Sequence, residues 1–171
     1  PSATQSALTN VSAATTDAAG SLLDVSATGT YVAITAGTLG ANLPAITLSN
    51  AVAGAASVTM SVTLTPTSPT PTGGKVVITL VGSGITATSP SVTITAPSGA
   101  TGSASLAGLV LTVTLSTGTF NASAAITFIV SGFTNPSAAQ SALTNVSAAT
   151  TDAAGSLIAT GAAGTYVAIT A

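Results

Sequence analysis

The chain has 171 residues, and only Lys75, Asp17, Asp24 and Asp152 carry charge; the net charge is −2, mean hydropathy is +0.73, and Cys, His and Trp are absent. With no His, Cys or Glu, a Ser–His–Asp triad, a thiol nucleophile and a zinc–thiolate site are excluded, and a single Lys cannot displace counterions from a nucleic acid. An ordinary soluble surface is about 25–35% charged, whereas this chain is 2% charged, so its faces are expected to be covered by sugar or buried against other copies.

Residues 1–36 occur again, nearly unchanged, as residues 136–171. The offset is 135, and the first copy differs from the second only at Thr4, Leu23, Asp24, Val25, Ser26 and Thr28. Residues 37–135 occur once. Self-similarity at a fixed period is the mark of a repeat array. The expected organisation is therefore closing strands of a preceding repeat (1–36), a linker (37–44) and one repeat of period 135 (45–171). Because the chain starts in mid-pattern at Pro1 and shows no signal peptide, it reads as a processed or partial piece of something longer.

The unique block alternates with period two, the pattern of half-buried strands. A short strand opens it at 45–50 with Ile46 and Leu48 on one face. The clearest strand is SVTMSVTLT (57–65), which sets Val58, Met60, Val62 and Leu64 against Ser and Thr. TPTSPTPTGG (65–74) ends it; Pro66, Pro69 and Pro71 cannot donate to a ladder, so an extended surface loop is expected. KVVITLV (75–81) follows with Val76, Ile78 and Leu80 inward, and Lys75 reads as a solvated residue guarding a sheet edge. After the break GSG (82–84), SVTITA (91–96) turns Val92 and Ile94 inward.

PSGATGS (97–103) is turn material. The 105–117 segment forms one strand with Leu109, Leu111, Val113 and Leu115 inward, and Gly108 marks a turn or bulge before them. TGTFNAS (117–123) is a turn, and 124–133 buries Ile126, Phe128 and Val130. In the second copy of the repeat, 141–158 reads as two strands around a type I turn opened by Asp152 and closed by Gly155. A further extended piece covers 164–171. An Ala-rich helix over 136–154 is the competing reading, but Thr, Ser, Asn and Val are poor helix formers and no 3.6-residue stripe appears. No run of about 18 apolar residues occurs, so no membrane helix is expected. A membrane barrel would lack its aromatic girdles, since Tyr31, Tyr166, Phe120, Phe128 and Phe133 are the only aromatics.

These strands make an all-β chain, and short strands at this spacing suggest a sandwich. The succession ITLSNAVAGAASVTMSVTL, GGKVVITL, SASLAGLVLTVTL, AITFIVSGFTNPSAA and TTDAAGSLI resembles the immunoglobulin-like β-sandwich tandem repeats of giant secreted microbial surface and fibre proteins. The resemblance covers roughly residues 45–160, and residues 1–23 as the tail of another copy. It implies an antiparallel immunoglobulin-like sandwich in a tandem array with inter-repeat strand segments, and a structural or adhesive role with no catalytic residues. The near absence of charge departs from typical members and favours close packing or glycosylation.

No catalytic, cofactor or metal site is expected. Asp17 and Asp152 occupy the same repeat position and open a DAAG turn; one Asp per turn is far short of a calcium site. Three sequons stand out as glycan acceptors, Asn10-Val-Ser12, Asn121-Ala-Ser123 and Asn145-Val-Ser147. Thr65, Pro66, Thr67, Ser68, Pro69, Thr70, Pro71 and Thr72 form a stretch suited to O-glycosylation or proline hydroxylation. The expected function is a structural subunit of an extracellular filament or cell-surface appendage. Its partners would be other copies of the same repeat, in the same chain or as a homopolymer joined by strand complementation, together with covalent glycans. An adhesin or carbohydrate-binding stalk module is the alternative, for which exposed aromatics are scarce. An ice-binding surface of Thr rows is a third reading; such rows are also ordinary solvent faces of strands.

Overall fold

The computed structural model describes residues 8–16, 18, 22–31, 35–39 and 44–171. It is all-β, with no helix among the described residues. In chain order the strands are β1 (Leu8–Thr16), β2 (Leu22–Tyr31), β3 (Gly37–Thr38), β4 (Ala45–Leu48), β5 (Val58–Leu64) and β6 (Lys75–Thr79). They continue with β7 (Thr86–Ala96), β8 (Thr101–Ala107), β9 (Val110–Thr117), β10 (Ile126–Thr134), β11 (Leu143–Thr151) and β12 (Leu157–Tyr166). β1 and β2 form a sheet of two. The other ten strands form one sheet in the order β7-β10-β5-β4-β12-β11-β6-β9-β8, with β3 beside β12. Its first and last members, β7 and β8, are consecutive in the chain and lie against each other, so the sheet is nearly closed into a barrel.

Alternation places the core. Val58, Met60, Val62 and Leu64 of β5 are at most 1% exposed, as are Val76, Ile78 and Leu80 in and just after β6. Leu111, Val113 and Leu115 of β9 and Ile126, Phe128 and Val130 of β10 are buried in the same interior, while Val92 and Leu109 are half-buried against it. These four strands thus turn most of their Val, Leu, Ile and Phe inward and most of their Ser and Thr outward, which is what a side-chain period of two dictates. Burying one such side chain contributes roughly 1.5–3 kcal/mol.

Five expectations change. The 105–117 segment is two strands, β8 and β9, joined through Gly108, whose φ of +58° reverses the chain. Thr101–Ser103, expected in a turn, begin β8, and β7 starts at Thr86 rather than Ser91. Lys75 is not at an edge: β6 lies between β11 and β9, and Lys75 is paired with Thr151 on one side and Thr114 on the other. Finally, the stretch expected as a linker enters the sheet. Gly37 and Thr38 pair in parallel with Ala159 and Thr160, and Leu39, whose N–H donates to the Thr160 carbonyl at 3.1 Å, is wholly buried. The glycines of GTLG suggest a linker, but its one apolar side chain finds the core.

The Pro-rich loop also differs from an open surface loop. Thr70 and Phe120 exchange two backbone hydrogen bonds, of 2.8 and 3.0 Å, and the Ser123 N–H donates to the Pro66 carbonyl at 2.7 Å. Gly73 and Leu115 are joined at 2.8 Å, and the Thr72 hydroxyl donates to the Gly118 carbonyl. Proline removes donors, but the carbonyls and the intervening N–H groups remain, and they stitch this loop to the 117–123 turn over the buried Phe120 ring.

Candidate assembly seam and modification surface

The β11–β12 hairpin closes the sheet. Its turn is the one expected: the Gly155 N–H donates to the Asp152 carbonyl at 3.1 Å, and Gly155 adopts φ +87°. The Asp152 carboxylate accepts from the Ser156 N–H at 2.8 Å, so this Asp serves the turn. On its outer sides the hairpin meets two different partners. β11 pairs antiparallel with β6, from Ser147↔Thr79 to Thr151↔Lys75. β12 pairs in parallel with β3 and then with β4, through Thr165↔Ala45 and Tyr166↔Ile46. The approach to β4 is close. A Cβ on Gly164 would lie 2.6 Å from the Pro44 ring and 2.7 Å from its carbonyl oxygen, so only glycine fits.

Beyond β12 the chain stays attached to its own unit. Ile169 and Gln140 exchange two backbone bonds of 2.9 Å, and Thr170 bonds Ala51 and Ala53, each at 2.8 Å. The same corner is locked by Asn135, whose amide donates to the carbonyls of Asn50 at 2.9 Å and Val52 at 2.8 Å. Neither Asn135 nor Leu39 stands out in the sequence. Asn135-Pro136 reads there as a plain loop, and only the folded chain brings it to residues 85 and 83 positions away.

β1–β2 is the same hairpin without those partners. Its register is Leu8↔Tyr31, Val11↔Gly29, Ala13↔Ser26, Ala14↔Val25, Thr15↔Asp24 and Thr16↔Leu22. Adding the offset of 135 gives the β11–β12 register: Leu143↔Tyr166, Val146↔Gly164, Ala148↔Gly161, Ala149↔Thr160, Thr150↔Ala159 and Thr151↔Leu157. Even the shifts in register fall at corresponding places. Among the described residues, no strand pairs with the outer side of β1 or β2. An isolated two-stranded hairpin is marginal in water, and its free edges are templates for further pairing.

The modification candidates separate by exposure. Asn121 lies exposed in its turn with Ala122 and Ser123, and Asn145 is exposed on β11, ahead of the first residue paired with β6. Asn10 is in β1, and its side chain lies outside the described residues. In the Pro-rich stretch Thr67, Pro69 and Thr72 are exposed, and Thr65, Ser68 and Pro71 are half-buried. Thr70 and Pro66 are buried. Of the Asp residues, Asp17 is outside the described residues and Asp24 lies in β2. No helix is long and apolar enough to cross a membrane among the described residues.

One buried group gives the seam a pH signature. Tyr166 is 1% exposed, and its hydroxyl has no hydrogen-bond partner among the described residues. Burial disfavours the phenolate and pushes the pKa up to about 12 from 10.0. Unfolded tyrosine loses its proton first, so the stability contributed by holding it is intact below pH 10.0 and is lost as pH rises towards about 12. The loss is expected to reach about 2–3 kcal/mol. Denaturation midpoints measured between these pH values should fall for the natural chain and fall less for Tyr166→Phe; equal slopes would contradict it.

No known protein family matches this chain, and no curated protein or solved structure matches it either.

Proposed function

We propose that the chain is a structural subunit of an extracellular filament or cell-surface appendage, built as a head-to-tail array of immunoglobulin-like β units. The observation that carries this reading is the closing hairpin, present twice at an offset of 135 with one register. Strand order supports the immunoglobulin-like part. The ladders β4-β5-β10-β7 and β6-β11-β12 follow the order of the two sheets of a seven-strand immunoglobulin unit. The β8–β9 hairpin is then an insertion that extends the second sheet beside β6.

Chain reach supports a stiff array. A unit closes at Thr170, and the offset maps Thr170 onto Thr35. The next unit opens with Gly37 in β3. Only Ala36 separates the two, and two residue steps span at most about 7 Å. Gly37 pairs near the start of β12, at Ala159, whereas Thr170 lies past its other end. Successive units would therefore stack end to end, each about 35 Å long for strands of ten or eleven residues.

The outward faces fit such an assembly. Ser91 and Ser131 hydroxyls bond at 2.8 Å, and Thr63 and Thr127 at 3.3 Å, giving uncharged, hydroxyl-lined sheet faces. Glycans on Asn10, Asn121 and Asn145 and on the exposed Thr67 and Thr72 would take over the solubilising role of charge. Electron micrographs of native material should show filaments with an axial repeat of about 35 Å, and intact mass should exceed the 15.9 kDa of the bare chain. Isolated monodisperse particles would overturn the filament, and a bare mass would remove the glycans. Strand complementation between chains and an adhesive stalk remain within the same architecture. The adhesin reading gains no particular support, since among the described residues the large hydrophobic side chains exposed to solvent are Val52, Val81 and Ile129, none of them aromatic.

A further inference from the structure

The two copies of the hairpin differ where the difference matters most for packing. Ala159 is 0% exposed and belongs to the core cluster, directly across β12–β11 from Thr150, which is also 0% exposed. At this end the face that β11 and β12 press on the core carries the small residues Ala148, Thr150 and Ala159, with the larger Val146 and Tyr166 towards the other end. In the first copy the residue at the Ala159 position is Asp24. Of the other differences, Leu23 for Ile158 keeps apolar character, and Val25 replaces Thr160, which is exposed. Ser26 stands for Gly161 and Thr28 for Ala163; the rest of the hairpin, including every residue that pairs with β6, is identical.

From this placement we infer that the slot between β6 and β3–β4 can receive the β1–β2 hairpin of a second copy, and that the residue at the position shared by Asp24 and Ala159 decides which hairpin fills it. With Ala at that position the hairpin closes the sheet with no buried charge. With Asp, closing the same sheet takes a carboxylate out of water into a packed apolar interior with no cation on the core side: Lys75, the chain's single basic residue, is at the same end of the contact, opposite Thr151, but on the outward row of β6. Uncompensated burial of a carboxylate is among the costliest changes a core can suffer. Asp24 thus keeps β1–β2 out of slots lined as this one is, a device against mispairing of near-identical segments.

The exchange must occur between chains. If β2 occupied the place of β12 in its own chain, Tyr31 would stand opposite Ile46 while Gly37 stood opposite Asp24. Seven strand positions separate those two sites, about 23 Å. The six residue steps from Tyr31 to Gly37 reach about 20–22 Å only when fully straight, which leaves no length to turn from one strand into the next.

The inference deepens the array reading, but its test does not depend on filaments forming. The full chain lacks cysteine, so an introduced pair reports unambiguously. Ser147 is directly opposite Thr79, and the equivalent residue in the first copy is Ser12. Opposed antiparallel residues lie within the Cα separation that disulfides span. Chains carrying Ser12→Cys and Thr79→Cys are oxidised at high concentration and run without reductant. With Asp24 in place, covalent multimers should be scarce. Adding Asp24→Ala should raise them at least about tenfold, since the two hairpins then differ little in what they bury. Adding Ala159→Asp as well should raise them further, because the chain's own hairpin now carries the charge. A Ser147→Cys, Thr79→Cys chain, which crosslinks within itself, reports in each background whether the sheet is closed in cis. If Asp24→Ala gives no more multimers than the parent while the cis control crosslinks, the inference fails. It also fails if Ala159→Asp alone leaves cis crosslinking and thermal stability unchanged, because the position would then tolerate the charge.

Discussion

Phe128→Ala is expected to cost about 3–5 kcal/mol of folding stability, close to the whole margin of a domain this size. Phe128 is 0% exposed at the centre of β10, between Val62 of β5 and Ile94 of β7. Truncation removes the ring from three neighbouring strands at once, and sheet backbones held on both sides cannot collapse into the void. The adjacent Ile129 provides the control. It is 38% exposed on the opposite face, between Ser61 and Thr93, and Ile129→Thr should change stability by no more than about 0.5 kcal/mol. Urea unfolding of the two variants measures the contrast. Similar losses at both positions would mean that the strand is buried on both faces, against the alternation that builds this fold.

Removing residues 1–44 should destabilise the unit more than removing residues 1–36. The shorter deletion keeps β3, whose two residues extend the parallel seam along β12, and keeps Leu39, which is 0% exposed. The longer deletion leaves an empty Leu-sized site and exposes the Ala159–Thr160 side of β12. The expected difference is at least about 2 kcal/mol, the lower end for losing a buried leucine. Matching denaturation midpoints for fragments 37–171 and 45–171 would show that the unit begins at Ala45 and that Gly37–Leu39 is a linker after all.

Alternation made much of this fold legible before any coordinates. Strands β4, β5, β6, β9 and β10 lie where Val, Ile, Leu and Phe alternate with Ser and Thr, and the inward faces are the expected ones. Asp152 and Gly155 announced their turn because both act locally, through a side chain that bonds two to four residues on and a backbone that accepts positive φ. β8 was legible only in part: its outward Thr101, Ser103 and Ser105 alternate with Gly102, Ala104 and Leu106, and small half-buried residues carry little hydrophobic signal. β3 was not legible, since two residues between glycines have no period. The role of Thr70 was hidden for a similar reason. Prolines around it suggest exposure, and only the approach of Phe120 encloses it.

The sequence by itself determined that this protein is a β chain with a duplicated 36-residue segment, that its strands have one apolar and one hydroxyl face, and that triad, thiol and zinc–thiolate chemistry lie outside its residue set. These follow from composition and from a side-chain period set by backbone geometry, both local properties. Tertiary structure alone decided which strands are neighbours, that the path from β7 to β8 comes back nearly upon itself, and that Gly37–Thr38 pair with β12 while Leu39 is buried. It also gave the duplicated segment its meaning. Both copies form the same hairpin in the same register, because cross-strand pairing within a hairpin is fixed by its turn and its own residues. Only the second is held between β6 and β3–β4 in this chain. There the small Ala159 faces the core, and there Asp24 would not fit, a difference of one side chain whose consequence depends on what surrounds it.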